Sequence, residues 1–154
     1  MKPPVPTLDY CFSIEARIAA PVSAGKGVLG ERLHIAITGG TVSGSCLNGN
    51  ILPGGSDWPV IGPDGNSRIE AHYTILTDDG VPIYVHNVGL RVSSAEALAR
   101  LRAGEPVAEG EVYMRAAPRF DAPDGPHQWL REALFVSSLA PGKGAVMLDV
   151  YRIG

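Results

Sequence analysis

The sequence predicts an all-β, mainly antiparallel fold: one closed up-and-down barrel of about eight strands with a single short helix. A two-sheet β-sandwich is the alternative. Three observations carry this expectation. Apolar and polar residues alternate with period two through most of the 154 residues. Nineteen glycines and 13 prolines break that alternation into short segments. Successive segments are joined by tight turns, so sequence neighbours pair, and closing the sheet removes its exposed edges.

The elements follow in order. Residues 1–7 contain one lysine and three prolines and read as a flexible N-terminus with no secretory pattern. From Leu8, the residues Leu8, Tyr10, Phe12, Ile14, Ala16 and Ile18 alternate with Asp9, Cys11, Ser13, Glu15 and Arg17, which predicts a long strand with one apolar face. Leu33, Ile35 and Ile37 predict a second. Gly39-Gly40 then reads as a turn, with Thr41 to Leu47 returning as a strand. Ser67 to Thr77 sets Ile69, Ala71, Tyr73 and Ile75 on one face and Arg68, Glu70, His72, Thr74 and Leu76 on the other. Asp78-Asp79-Gly80 is a hairpin turn, and Val81 to Val92 is the partner strand.

Ser93 and Glu96 have the spacing of a capping box, in which Glu96 reaches back to the Ser93 amide. Ala95, Leu98, Ala99 and Leu101 add a helical stripe that Gly104 closes, so a helix is expected near Ser93 to Ala103. Glu111 to Ala117, Ala133 to Ala140 and Ala145 to Ile153 predict three further strands, the last two joined by a Pro141–Gly144 turn. A short helical turn is expected over His127 to Arg131. No repeat or long linker divides the chain, so residues 1–154 read as one barrel domain.

Composition excludes several classes. The net charge is −3 with no basic stripe, which argues against nucleic acid. No apolar run approaches the roughly 18 residues of a membrane helix. The glycine-rich stretch Ile37 to Gly65 lacks the lysine-serine ending of a phosphate loop, so no nucleotide or other cofactor is expected. Cys11 and Cys46 are isolated and read as free thiols of a cytoplasmic protein. Four scattered histidines show no metal-ligand spacing, and no metal is expected. His72 and His86 lie on neighbouring strands and are the one weak signal for one.

The strings "GGTVSG", "LPGGSDW", "EAHYTILTDDGVPIYVHNVG", "VYMRAAPRFDAPDGPHQWL" and "DVYRI" occur in this order. Together they resemble a family of small, uncharacterised β-barrel proteins of bacteria and fungi, over nearly the whole chain. The resemblance implies a single barrel with a lined interior that often self-associates, and no settled reaction. Its pattern places Asp-Trp at Asp57-Trp58, Tyr at Tyr73, Asn at Asn87, a Tyr-Phe-Arg triplet at Tyr113-Met114-Arg115, and Trp-Leu at Trp129-Leu130. This chain departs from the pattern at His72, His127 and Arg131, and two of those changes introduce histidine.

These residues suggest acid–base chemistry. Asp57 offers a base and Trp58 an apolar wall on a loop at a barrel mouth; the plainer reading is a capped turn and a plug. Glu70 and His72 share one strand face. Turned inward they would make an acid–base pair; turned outward they would be a solvated face. Tyr84 and His86 share one face of the next strand. Asn87, Gly89 and Arg91 share the other, which would line the interior. Tyr113 and Arg115 share a strand face, and Arg115 suits a carboxylate or enolate oxygen. Trp129 reads as core and His127 as a cover for the mouth.

The chain therefore reads as a cofactor-independent isomerase, cyclase or lyase acting on a small carbonyl or phenolic substrate in the lumen. Asp57 or His72 would be the base, and Arg115 and Asn87 the oxyanion stabilisers. Glu70, Trp58, Tyr73, Tyr84, His86, Tyr113, His127 and Trp129 would surround the substrate. The alternative is a non-catalytic carrier or sensor of a small molecule. The expected partners are that small molecule and, through the resemblance, further copies of the chain. Free thiols predict a melting temperature indifferent to added reductant; a marked fall on reduction would reveal a disulfide.

Overall fold

The computed structural model describes all 154 residues. Strands β1 (Leu8–Ile18) and β2 (Val22–Gly27) form one interrupted strand position, and both run against β3 (Gly30–Ser43). The opposite edge of β3 meets three short pieces, β4 (Gly49–Ile51), β5 (Gly55–Asp57) and β6 (Val60–Ile61). All three pieces also pair with β7 (Ser67–Thr77), so together they fill one position. Then β8 (Pro82–Ser93), β9 (Val112–Asp121), β10 (Phe135–Pro141) and β11 (Ala145–Ile153) follow as antiparallel neighbours. Pairing of β11 with β1 closes a barrel of eight strand positions. No helix is long and apolar enough to cross a membrane.

The expected turn at Gly39-Gly40 does not form; both residues lie inside β3. Gly40 has φ +155°, and a Cβ there would meet the Glu15 carbonyl oxygen at 2.2 Å. The glycines let β3 bend and press against β1 where the sheet curls. The chain reverses later, at residues 44–48, where the Asn48 side chain donates to the Gly44 carbonyl (2.8 Å) and accepts from the Gly44 amide (3.2 Å).

Alternation places the core in β7 and β8: Ile69, Ala71, Tyr73, Ile75, Ile83, Val85 and Asn87 are buried. In β1 the period slips, because the register shifts between Tyr10 and Phe12. Cys11 and Phe12 are both buried, while Leu8 and Tyr10 face out. Cys11 and Cys46 are free.

The two ends of the barrel differ. At one end Phe120 packs edge-on against Phe12 (5.8 Å) and Phe135 (5.2 Å). A 3₁₀ turn over Gln128–Arg131 brings Leu130 and Trp129 onto this cluster and seals it. The other end is spanned by helix α1 (Ala95–Arg102). Its cap is Ser94, whose hydroxyl accepts from the Ala97 amide at 3.1 Å, and not Ser93 as the capping box suggested. β8 continues through Ser93, whose amide donates to the Asn66 side-chain oxygen, so the first residue free to cap is Ser94. Ion pairs from Arg102 to Glu31 (3.2 Å) and from Arg100 to Glu111 (2.5 Å) tie the helix down.

A Gly40→Ala change should lower stability by at least about 1–3 kcal/mol, through strained backbone and lost contact between β1 and β3. Urea unfolding would measure it; a midpoint within error of the parent would show that the close approach is not needed.

Candidate functional site

Inward layers near the α1 end are built from small residues. Ile69, Gly89 and Ala116 are in register across β7, β8 and β9, and so are Ala71, Asn87 and Pro118, with Asp57 of β5 beside Ala71. Gly, Ala and Pro leave volume that bulky side chains fill at the sealed end. At this end lies a cavity of about 440 Å³ bounded by Leu33, Ile35, Ile61, Ile69 and Met114, with Leu98 and Leu101 of α1 over it. Asp57, Ser67 and Arg91 supply polar walls.

Asp57 reaches the lumen because Ser56 and Asp57 alternate across β5, with Ser56 in register with outward His72 and Asp57 with inward Ala71. Burial pushes its carboxyl up to about 6. Donated amide protons, including that of Glu70 to Oδ1 (3.2 Å), and the charge of Arg91 pull the other way without cancelling the rise. Burial also lowers the Arg91 pKa, assisted by the Arg102 charge and opposed by Asp57. The Arg91 Nε and Nη2 groups are buried with no hydrogen-bond partner, as are Asn87 Oδ1 and the Tyr73 hydroxyl. Burial raises the Tyr73 phenol, which stays protonated. An unpaired buried polar group costs about 1–3 kcal/mol, and more when charged. Of these, Arg91 lines the hollow, and an unpartnered guanidinium beside a buried carboxyl marks a place where a polar molecule is received.

Of the residues singled out from the sequence, Asp57, Tyr73 and Asn87 face inward, with Arg91 beside them. Glu70, His72, Tyr84 and His86 face outward. Their strands point Ile69, Ala71 and Tyr73, and Val85, Asn87 and Gly89, into the barrel, and parity leaves the opposite set outside. Tyr113 and Arg115 are likewise outside, because β9 turns Met114, Ala116, Pro118 and Phe120 inward. The Arg115 guanidinium sits 5.3 Å from the Tyr113 ring centroid and donates to the Met114 carbonyl at 2.9 Å.

Trp58 is neither rim nor plug: it is 44% exposed on the outer wall and stacks on His34 at 4.2 Å. Trp129 packs against Phe135 at the sealed end, in the core as expected. His127 lies at that same end, away from the hollow, where its Nε2 meets the Asp79 carboxylate of the β7–β8 turn at 2.8 Å. The sequence reading missed Ser67, Met114 and the α1 cover. The parity that puts Arg115 outside is the signal that would have found Met114.

A larger but shallower depression of about 840 Å³ lies on the outer wall, along Val88, Leu90, Tyr113 and Arg115. Its charged groups reach solvent, so nothing there is left unsatisfied as the lumen groups are.

The family described as a protein of unknown function, DUF3237, matches residues 6–153. The chain belongs to this family. A UPF0311 protein of Rhodopseudomonas palustris is 42% identical over 150 residues, covering 96% of this chain and 98% of that one. The crystal structure of a conserved protein of unknown function from the same organism superposes with a TM-score of 0.92 at 40% identity, covering 99% and 100% of the two chains. A β-barrel-like protein of Acinetobacter baumannii superposes with a TM-score of 0.87 at 32% identity, covering 99% of each chain. More distantly, a hydroalkoxylation enzyme of Penicillium herquei is 30% identical over 84 residues, covering 54% of this chain and 56% of that enzyme.

The raised Asp57 pKa has a consequence for stability. Below about pH 4 the carboxyl is protonated in both folded and unfolded chains; between about 4 and 6 the unfolded chain ionises first and stability falls. Asp57→Asn should therefore be more stable than the parent at pH 7.5, by at most about 3 kcal/mol, with the gap closing near pH 4. Thermal melts at both pH values check this; an equal gap at both would mean that the carboxyl is not desolvated.

Proposed function

We propose that this protein is an enzyme that moves protons on a small, oxygen-bearing organic molecule held in the barrel lumen. The observation that carries the reading is a carboxyl poised near pH 6 across an apolar hollow from a buried guanidinium with unspent donors. A base whose pKa lies near the operating pH is both ionised and able to hand its proton back.

In this reading Asp57 takes a proton from a carbon beside a carbonyl, or from a hydroxyl. The Arg91 N–H groups hold the oxygen on which negative charge develops, in a setting dry enough to strengthen the contact. Ser67 offers a further polar contact, and the aliphatic walls take the hydrocarbon body. The proton then returns to a different atom. That sequence isomerises, cyclises or eliminates without net oxidation. The hydroalkoxylation enzyme supports this class, because adding an O–H across a carbon–carbon double bond is also a redox-neutral proton relocation.

A panel of small phenols and α,β-unsaturated ketones, followed by melting shift and by absorbance, tests the reading. For a molecule that binds and turns over, Asp57→Asn should lower kcat about a hundred- to ten-thousandfold while binding persists. Arg91→Ala should weaken kcat/KM about ten- to a hundredfold. The parent kcat/KM should fall as pH drops below about 6. Arg115→Ala, on the outer wall, should match the parent. Full activity in Asp57→Asn would overturn the assignment, and tight binding with no turnover across the panel would leave a carrier.

A further inference from the structure

The outer wall carries a second group of residues that the lumen chemistry does not use. Glu70 and His72 project from β7, and His86 projects from β8 directly across from His72. The two imidazoles stack with ring centroids 4.3 Å apart and planes 13° from parallel. Glu70 Oε1 lies 3.1 Å from His86 Nε2 and 3.7 Å from His72 Nε2. One donor atom from each residue falls within 4.8 Å of the others. A divalent ion with ligands at about 2.0–2.2 Å needs its donors about 3.0–3.5 Å apart, so small side-chain rotations suffice.

Two further features favour an ion over a simple hydrogen-bond cluster. His72 Nδ1 is hydrogen-bonded to the Tyr84 hydroxyl. With Nδ1–H donating to the Tyr84 oxygen, Nε2 keeps its lone pair and its aim, which is how outer partners prepare a ligating histidine. The side chains are also partly open to solvent, at 54% exposure for Glu70, 40% for His72 and 34% for His86, so ions can enter and coordination positions remain free. Beside His72 and Tyr84 lies a depression of about 340 Å³, edged by Pro53, Gly54 and Gly55, with room for a small oxygen ligand. Arg119, in register with His86, is a nearby positive charge.

We infer that Glu70, His72 and His86 bind one divalent first-row transition ion, such as Zn²⁺, on the outer wall of the barrel. Two neutral imidazoles and one carboxylate suit such an ion better than Mg²⁺ or Ca²⁺, which prefer all-oxygen shells. Three protein ligands leave at least one position for water or an exchangeable oxygen donor.

Calorimetric titration of the full chain with Zn²⁺ at pH 7.5 should give one saturable site. His72→Ala, His86→Ala and Glu70→Gln should each weaken it at least tenfold. Tyr84→Phe should weaken it about ten- to a hundredfold through the lost support of His72. Co²⁺ should give a visible absorption band that the His86→Ala variant loses. His34→Ala and Arg91→Ala should bind as the parent does, which keeps this test separate from that of the lumen. Absence of saturable binding, or equal affinity in the parent and both histidine variants, would overturn the inference.

Discussion

Closure of the seam between β1 and β11 is the constraint from which the rest follows. Once Ile14 is in register with Leu148, and Phe12 with Val150, the long strands of the closed wall have one face enclosed and one face in water. Side chains alternate with period two, so a single choice of parity sends whole sets of residues in or out. On β7 that choice encloses Ile69, Ala71, Tyr73 and Ile75 and exposes Glu70 and His72. The distribution of chemistry between lumen and outer wall is thus a consequence of closure.

Within the enclosed face, side-chain volume decides what is core and what is cavity. Phe12, Phe120, Phe135 and Leu130 fill the end near the β7–β8 turn. Towards the other end the inward residues shrink to Ala71, Gly89 and Ala116, and the barrel stays open beneath α1. The sealed end supplies rigidity through dense aromatic packing. The hollow end can then hold a desolvated carboxyl and a guanidinium with free donors, which would be costly without the scaffold around them.

The same alternation separates two kinds of polar group. Inside, Asp57 and Arg91 act on each other in low dielectric, and burial dominates their protonation. Outside, Glu70, His72 and His86 approach one another closely on a face open to water. Trp58 adjoins both, since its neighbour Asp57 points into the lumen while the indole stacks on His34 outside. One dipeptide therefore contributes to each side of the wall.

The sequence by itself determined the strands whose pattern is strictly alternating. Ser67 to Thr77, its Asp78–Gly80 turn, and Ala145 to Ile153 are read from local pleat and turn chemistry, which need no partner to be recognised. It also indicated the barrel, a helix after β8, and Asp57, Tyr73 and Asn87 as residues of interest. The tertiary structure alone decided which face is inside, because alternation states that two faces differ and not which one another strand will cover. It moved His72, Arg115 and Trp58 to the outer wall and His127 to the sealed end, and it placed α1 over the cavity. It also turned Gly39-Gly40 from an expected turn into a bend within β3, since the close approach of Glu15 that requires glycine there joins residues far apart in the chain. Local pattern encodes what each segment prefers, and long-range pairing fixes what those preferences face.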